Sequence, residues 1–117
     1  MEVQSPDKPC LLNAFSANQL VVLPAQVHFE PITVADACAL LAGGFVSGVG
    51  HANTAELFSR LLGLPVPVQR DDVPLPPGAR SVLGQYRGPR LPEGVAVLPP
   101  NASIEWLMVR VSVEQDG

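Results

Sequence analysis

His51 is the residue of this sequence best suited to acid–base chemistry. It ends the glycine-containing run FVSGVGH (45–51) and precedes ANTAELFSRLLG, a segment typical of an amphipathic helix. The first N–H groups of a helix have no intrahelical partner and attract anions, and Gly48 and Gly50 would let a phosphate approach the backbone. An imidazole there could protonate a leaving alkoxide during phosphodiester cleavage or orient a nucleophile. A purely structural loop histidine is the alternative.

Arg90 and Glu93 form a second candidate group in the Pro/Gly-rich loop GPRLPEG (88–94). Proline stiffness would hold the guanidinium in place, where it can grip a phosphate and stabilise charge that develops in the transition state. Glu93 could accept hydrogen bonds from ribose hydroxyls or from Arg90. Arg87, at the preceding strand end, is a candidate second phosphate contact. An exposed charged pair without function is the alternative for this loop.

Asn13 and Ser16, in the segment LLNAFS, follow a short apolar run that is expected to be a buried strand. Ligands of α/β sheets bind just beyond strand ends, so both are candidate adenine or ribose contacts. A turn-stabilising role is equally compatible with the residue types. Asp71 and Asp72 have no His or Glu at metal-ligand spacing and are interpreted as a solvated edge. No metal and no cofactor is expected.

The composition limits the classes of protein that this chain can be. Its 117 residues suffice for one domain, and 47% hydrophobic with 15% charged residues indicate a folded globule. A net charge of −4 argues against a broad basic nucleic-acid-binding face, but permits a small anion held by a few arginines. Cys10 and Cys38 match no metal or redox spacing and are predicted to be buried, reduced thiols. The sequence shows no signal segment or membrane span, so a cytoplasmic protein is expected.

The elements that must position these residues are predicted to form one α/β (α+β) domain over residues 10–114, after an extended or disordered segment (1–9) and before a tail (115–117). Hydrophobic patterning predicts about five strands in a mixed sheet, at 10–15, 25–32, 66–75, 79–88 and 103–114. One helix is predicted from Thr33 to the glycines at 43–44, and another from near Asn53 to Gly63. Thr33-x-x-Asp36 and Asn53-x-x-Glu56 resemble capping boxes. The helices are expected to flank the sheet.

Taken together and in order, these segments resemble a known family. The resemblance covers about residues 10 to 113 and is carried by LLNAFS, ITVADACALL, FVSGVGHANTAELFSRLLG, VPVQRDDVPL, GQYRGPRLPEG and the apolar terminal strand. The combination of GxGH, a short helix and then RLPEG is its most specific part. The chain resembles the viral type III anti-CRISPR ring-nuclease family and its bacterial relatives, which degrade cyclic tetra-adenylate.

The resemblance implies a homodimer that holds the cyclic messenger across its two-fold axis under a closing loop. Cleavage in that family needs no metal: a 2′-hydroxyl attacks the adjacent phosphate and leaves linear di-adenylates that end in a 2′,3′-cyclic phosphate. The resemblance places the proposed general acid on His51, the RLxEG pair on Arg90 and Glu93, the NAFS serine on Ser16, and a ligand-contacting or conformation-setting arginine and glutamine on Arg70 and Gln85.

Three functions are therefore compared. A ring nuclease, which would switch off or evade cyclic-oligoadenylate signalling, is favoured because His51, Arg90 and Glu93 supply an acid as well as a cation. A sequestering or sensing module for the same messenger would need the cation but not the acid. A purely structural or interaction protein would bind no nucleotide. The proline-rich connections at 65–77 and 96–100 depart from the family pattern.

Overall fold

The sheet combines a long antiparallel block with two short parallel strands. The structure, a computed structural model, describes residues 8–71, 73–89 and 97–113. The strands are β1 (Cys10–Leu12), β2 (Ala25–Ile32), β3 (Val46–Gly48), β4 (Arg80–Arg87) and β5 (Ser103–Val113), and the helices are α1 (Val34–Leu41) and α2 (Ala52–Leu62). The strand order is β2-β5-β4-β1-β3. Strand β5 is antiparallel to β2 and β4, whereas β1 is parallel to β4 and β3. A single domain with a mixed five-stranded sheet and two helices confirms the predicted fold class.

Strands β2, β4 and β5 form the antiparallel block and agree with the sequence patterns. The bounds of β2 are those predicted, β4 is one residue shorter than predicted at each end, and β5 covers residues 103–113 of the predicted 103–114. Strand β2 is an edge strand, so even its apolar Phe29 is 45% exposed. His28 on the opposite face is exposed.

Helix α1 begins at the predicted capping box. The Thr33 hydroxyl oxygen accepts the Asp36 N–H at 3.0 Å, and the Asp36 carboxylate accepts the Thr33 N–H at 3.4 Å. The helix ends at Leu41, just before the two glycines. The sequence therefore predicted both ends of this helix to within about two residues.

Helix α2 begins differently from the prediction. Its N-cap is His51, which makes no side-chain capping hydrogen bond, so the predicted box of Asn53 and Glu56 is wrong. Glu56 instead pairs with Arg60 at 3.1 Å, one turn further along the helix. Gly63 ends the helix in the left-handed conformation (φ 71°), as predicted.

Two hydrophobic clusters lie on opposite faces of the sheet, because successive strand residues point to opposite sides. The helix-side cluster joins Leu11 and Val82 to Phe58 of α2. The other cluster lies under the segments that follow β1 and precede β4, and includes Leu12, Leu83, Leu75 and Val109. The two faces thus share β1 and β4 and fix the position of both strands.

Both cysteines are free, as predicted. Cys10 is buried in β1, and burial raises the pKa of its thiol. Cys38 is only half-buried, and its thiol donates to the Leu62 carbonyl with sulfur and oxygen 3.3 Å apart.

The region between α2 and β4 overturns one prediction. The described residues of 66–75 form no strand, and only Leu75 makes an isolated bridge, to Leu20. Prolines 65, 67 and 74 remove backbone donors, which prevents a continuous ladder. The fifth strand is β3 instead, in the glycine-containing run FVSGVGH, for which no strand was predicted. Strand β1 also ends at Leu12 rather than at residue 15, since a short 3₁₀ turn (Ala17–Gln19) follows it.

Residues 1–7, 72, 90–96 and 114–117 lie outside the described residues, and with them the predictions for most of the N-terminal segment and for the tail. Within the part of the chain that the structure describes, neither helix is long and apolar enough to cross a membrane.

Candidate functional site

A cavity of about 170 Å³ lies where β1 and β3 end. The two strands are parallel and paired, with Leu12 opposite Gly48, so the residues that follow them meet at one edge of the sheet. Three segments line the cavity. The segment after β1 contributes Asn13, Ala14, Ser16 and Gln19, and the end of β3 contributes Gly48, Gly50 and His51. The segment between α2 and β4 contributes Gln69, Arg70, Asp71 and Val73.

Six of the ten predicted site residues line this cavity: Asn13, Ser16, Gly48, Gly50, His51 and Arg70. Gln85 and Arg87 lie on β4 and are not among its lining residues. The Arg87 guanidinium is 2.9 Å from the Glu105 carboxylate and 3.3 Å from the Gln85 side-chain oxygen. Arg90 and Glu93 lie outside the described residues.

His51 lies at the mouth of the cavity, at the start of α2. Its backbone is extended (φ −126°, ψ 134°), and its carbonyl accepts the Ala55 N–H at 2.9 Å as the first bond of the helix. The side chain is exposed and makes no hydrogen bond with a described residue. The imidazole is therefore positioned by the backbone and available to a ligand.

The segment that lines the cavity between α2 and β4 belongs to the strap, which we define as residues 66–71 and 73. It runs beside β3, where the Gln69 N–H donates to the Val49 carbonyl at 2.8 Å. The Ser47 hydroxyl donates to the Pro67 carbonyl and accepts the Val49 N–H at 3.3 Å. These bonds place Arg70 on the cavity although the strap forms no strand.

Gly48 lines the cavity and also has a packing role. A Cβ atom at this position would lie 2.7 Å from a Leu12 methyl and 3.3 Å from a Val73 methyl. Strap and β1 thus close over Gly48. At Gly50 the closest contact of such an atom would be an ordinary 3.6 Å, to the Gln69 carbonyl.

Gln19 joins two walls of the cavity and was not predicted. Its side-chain NH₂ donates to the Val73 carbonyl at 3.0 Å, and its side-chain oxygen accepts the Ser16 N–H at 2.9 Å. Its own carbonyl accepts the Leu75 N–H at 2.7 Å. The side chain is only 5% exposed. The available signal was Ser16-x-x-Gln19, a capping-box pattern that the structure confirms.

Two amide side chains on the cavity have their oxygen atoms occupied by backbone donors. The Asn13 side-chain oxygen accepts the Gly50 N–H at 3.3 Å, and the Gln69 side-chain oxygen accepts the Asp71 N–H at 3.0 Å. These bonds fix the orientation of both amides, and each keeps its NH₂ group for a ligand. Gln69 was not predicted, because only the fold reveals its partner.

The remaining polar groups extend this pattern. Ser16 accepts the Asn18 N–H at 3.2 Å and keeps its hydroxyl hydrogen, while the exposed Arg70 has only donors. Among the described lining residues, the Asp71 carboxylate is the exception, since it only accepts hydrogen bonds. A wall of donors beside a helix N-terminus suits an anionic ligand with several oxygen atoms, such as a phosphate.

Acidic residues do not gather here in the described part of the chain. Asp71 is exposed, as predicted, and Asp72 lies outside the described residues. No group of three or more His, Cys, Asp or Glu side chains that could hold a metal ion occurs among residues 8–71, 73–89 and 97–113.

Comparison with known proteins places this geometry in a family. The model of the STIV B116-like family matches residues 9–101. Among solved structures, the chain is similar to B116 of Sulfolobus turreted icosahedral virus, with a TM-score of 0.71 and 25% identity over 88% of this chain and 98% of that one. A search of curated protein sequences found no match. The family match spans most of the chain, and the protein therefore belongs to the STIV B116-like family.

Proposed function

We propose that this protein is a ring nuclease that cleaves cyclic tetra-adenylate and thereby switches off or evades type III CRISPR signalling. The observation that carries the proposal is the meeting of His51, Arg70, Asn13 and Ser16 on one donor-rich cavity. These residues come from three separated segments, so their convergence is a property of the fold. The reaction class and the messenger come from the family resemblance of the sequence.

In the proposed reaction the substrate supplies its own nucleophile. The 2′-hydroxyl oxygen attacks the adjacent phosphorus, its proton passes to a base or to water, and the bond from phosphorus to the 5′-oxygen breaks. His51 gives a proton to that leaving oxygen as general acid. Cleavage at two opposite linkages yields two linear di-adenylates, each with a 2′,3′-cyclic phosphate.

Hydrogen-bond donors of the cavity would bind the phosphate that reacts. The NH₂ groups of Asn13 and Gln69, the Ser16 hydroxyl and the Arg70 guanidinium would hold the phosphate and stabilise its developing charge. Arg90 and Glu93 complete the set by resemblance to the RLxEG motif. Positioning and acid–base help would then suffice for cleavage without a metal.

A homodimer is part of the proposal because of the size of the ligand. One cavity of about 170 Å³ is smaller than the roughly 300–1,000 Å³ of pockets that enclose a drug-sized molecule, and a cyclic tetranucleotide is larger still. Two cavities related by a two-fold axis would present matching donor sets to a ligand with its own rotational symmetry.

A sequestering module is the second candidate, and one observation favours it. The His51 side chain has no hydrogen-bonding partner among the described residues that would orient it as an acid. A binding module would use the same donors without needing an oriented imidazole. In that case His51→Ala would leave both affinity and slow cleavage unchanged.

The test is a single-turnover incubation with cyclic tetra-adenylate in EDTA, with products identified by mass spectrometry. We expect rapid conversion to di-adenylate with a cyclic phosphate, and a loss of roughly 10²-fold or more in His51→Ala. Retained binding by that variant would separate the chemistry from the fold. A 2′-O-methylated ligand should bind without being cleaved.

Each other outcome assigns the protein to a different class. Intact ligand that elutes with the protein would identify the sequestering module. Absence of binding would reject the messenger and leave the cavity to another anion. Activity that disappears in EDTA and returns with a divalent ion would contradict the proposed mechanism.

A further inference from the structure

A row of basic side chains crosses the antiparallel block at the amino-terminal end of β4. Arg80 is opposite Arg110 of β5, and Arg110 is opposite His28 of β2. Directly opposite residues point to the same face, with Cβ atoms roughly 4.5–5.5 Å apart. All three side chains are exposed. We call His28, Arg110 and Arg80 the arginine row.

Within the described part of the chain, the charges of this row are only partly neutralised. Like charges directly opposite each other destabilise a sheet. The carboxylate beside the row belongs to Glu30, which is 3.7 Å from the Arg110 guanidinium, beyond hydrogen-bond distance. Arg80 makes no ion pair with any described residue.

Two other arginines, Arg60 and Arg87, are neutralised by direct contact. Arg60 lies 3.1 Å from Glu56, and Arg87 lies 2.9 Å from Glu105. The chain has only seven Lys and Arg residues, with a net charge of −4. Two arginines lie opposite each other here, and among the described residues Glu30, at 3.7 Å from Arg110, is the one carboxylate paired with them; they are therefore a local exception to the acidic character of the protein.

The row is also distant from the cavity. Leu83 of β4 is level with Leu12, the last residue of β1, and the cavity begins at Asn13. Arg80 is the first residue of β4, so the row lies about four residues, or roughly 13 Å, from the cavity edge along the strand direction. A ligand at one place would not fill the other.

We propose that the arginine row is a second anion site, which binds a phosphate group. Two guanidinium groups side by side offer paired N–H donors to phosphate oxygens. His28 adds a ring N–H, and the exposed Ser112, two residues beyond Arg110 on the same face, adds a hydroxyl. The site needs neither the cavity nor cleavage of a cyclic nucleotide.

The experiment is a titration of the full chain followed by backbone amide NMR. One arm uses inorganic phosphate, and the other uses linear hexa-adenylate with hydroxyls at both ends, which offers only phosphodiesters. We expect shifts at residues 28, 80, 110 and 112, and about tenfold weaker binding at these residues in Arg80→Gln or Arg110→Gln. Arg60→Gln is the matched control, because it also removes one exposed positive charge.

The arms give distinct results. A response to inorganic phosphate identifies a site for free or terminal phosphate, and a response to hexa-adenylate alone identifies a site for a nucleic acid strand. No shift at the row with either probe, or equal weakening in Arg60→Gln, would overturn the proposal. His51→Ala should leave the row unchanged, so failure of the proposed nuclease and failure of this site remain distinguishable.

Discussion

The antiparallel block of β2, β4 and β5 and the rim of the cavity are held together in different ways. The rim is the set of segments that line the cavity, residues 13–19, 48–51 and the strap. Strand β4 pairs with β5 over all eight of its residues, so their positions follow from a continuous backbone ladder. The rim depends instead on isolated hydrogen bonds: the side chains of Gln19 and Ser47 donate to the Val73 and Pro67 carbonyls, and the Gln69 N–H donates to the Val49 carbonyl. Loss of one side chain in the block changes packing, whereas loss of one in the rim changes where a whole segment lies.

This difference separates stability from function. The block and the helix-side cluster should contribute most of the free energy of unfolding, because they bury most of the large apolar side chains. The rim contributes less burial but carries His51 and Arg70. Substitutions in the block should therefore mainly change the free energy of unfolding, and substitutions in the rim should mainly change ligand binding and local hydrogen exchange.

The largest effect is expected in the core that joins the block to α2. Phe58 is fully buried, with its ring centroid 5.0 Å from that of Trp106. Phe58→Ala should lower the free energy of unfolding by about 3–5 kcal/mol in urea denaturation, because it leaves a cavity. Leu61→Ala, at a 40% exposed position of the same helix, is the control and should change it little. Similar losses in both variants would contradict the proposed division.

A smaller loss is expected in the rim at Gln19. Gln19→Leu removes the bonds to the Val73 carbonyl and the Ser16 N–H, and unpaired buried groups cost about 1–3 kcal/mol. Hydrogen exchange should accelerate at Leu75 and in the strap while β5 stays protected. Gln26→Leu, at an exposed position, serves as the comparison. Uniform acceleration across the sheet would mean that the rim is not a separate unit.

The donor pattern of the rim can be tested with a nearly isosteric change. Gln69→Glu keeps an oxygen for the Asp71 N–H but replaces the ligand-facing NH₂ by a second oxygen. Binding of cyclic tetra-adenylate should weaken by about tenfold or more, because a donor is exchanged for a charge that repels phosphate. Gln26→Glu introduces the same charge on β2 and should bind normally. Equal affinity in both variants would remove Gln69 from the site.

The smallest expected effect is a difference in alkylation rate between the Cys10 and Cys38 thiols. The thiolate is the reactive form of cysteine. Burial raises the pKa of Cys10, so at a given pH a smaller fraction of this thiol is ionised than for an exposed cysteine. Iodoacetamide at pH 8 should modify the half-buried Cys38 first, and the rate at Cys10 should still rise as the pH increases further. Mass spectrometry of the labelled peptides would measure both rates. Equal rates would indicate that β1 opens readily.

The block was predictable from sequence because its signals are long and local. β5 is rich in β-branched residues over eleven positions, and β2 alternates over eight. Strand β3 has only three residues, and the Val46 N–H finds its partner in the Pro9 carbonyl, far away in sequence. The strap was mistaken for a strand because Val66 and Val68 alternate like one, whereas the prolines beside them prevent pairing.

The candidate site was predictable where residue type alone restricts the chemistry. A histidine before a helix and polar residues after a strand pointed to His51, Asn13 and Ser16, which the fold brings to one cavity. Gln19 and Gln69 were missed because a glutamine has no specific chemistry until its partner is known. The partner of Gln19, Val73, lies 54 residues away in the chain.

The lack of a capping bond from the His51 side chain has a thermodynamic consequence for α2. Helix α1 carries its own cap in Thr33, but His51 gives α2 no side-chain hydrogen bond. An anion at the cavity would supply the capping interaction that the His51 side chain does not make, so part of its binding free energy would appear as stabilisation of the helix. Fraying of the first turn of α2 would then report occupancy: it would slow when the ligand binds and resume when the products leave.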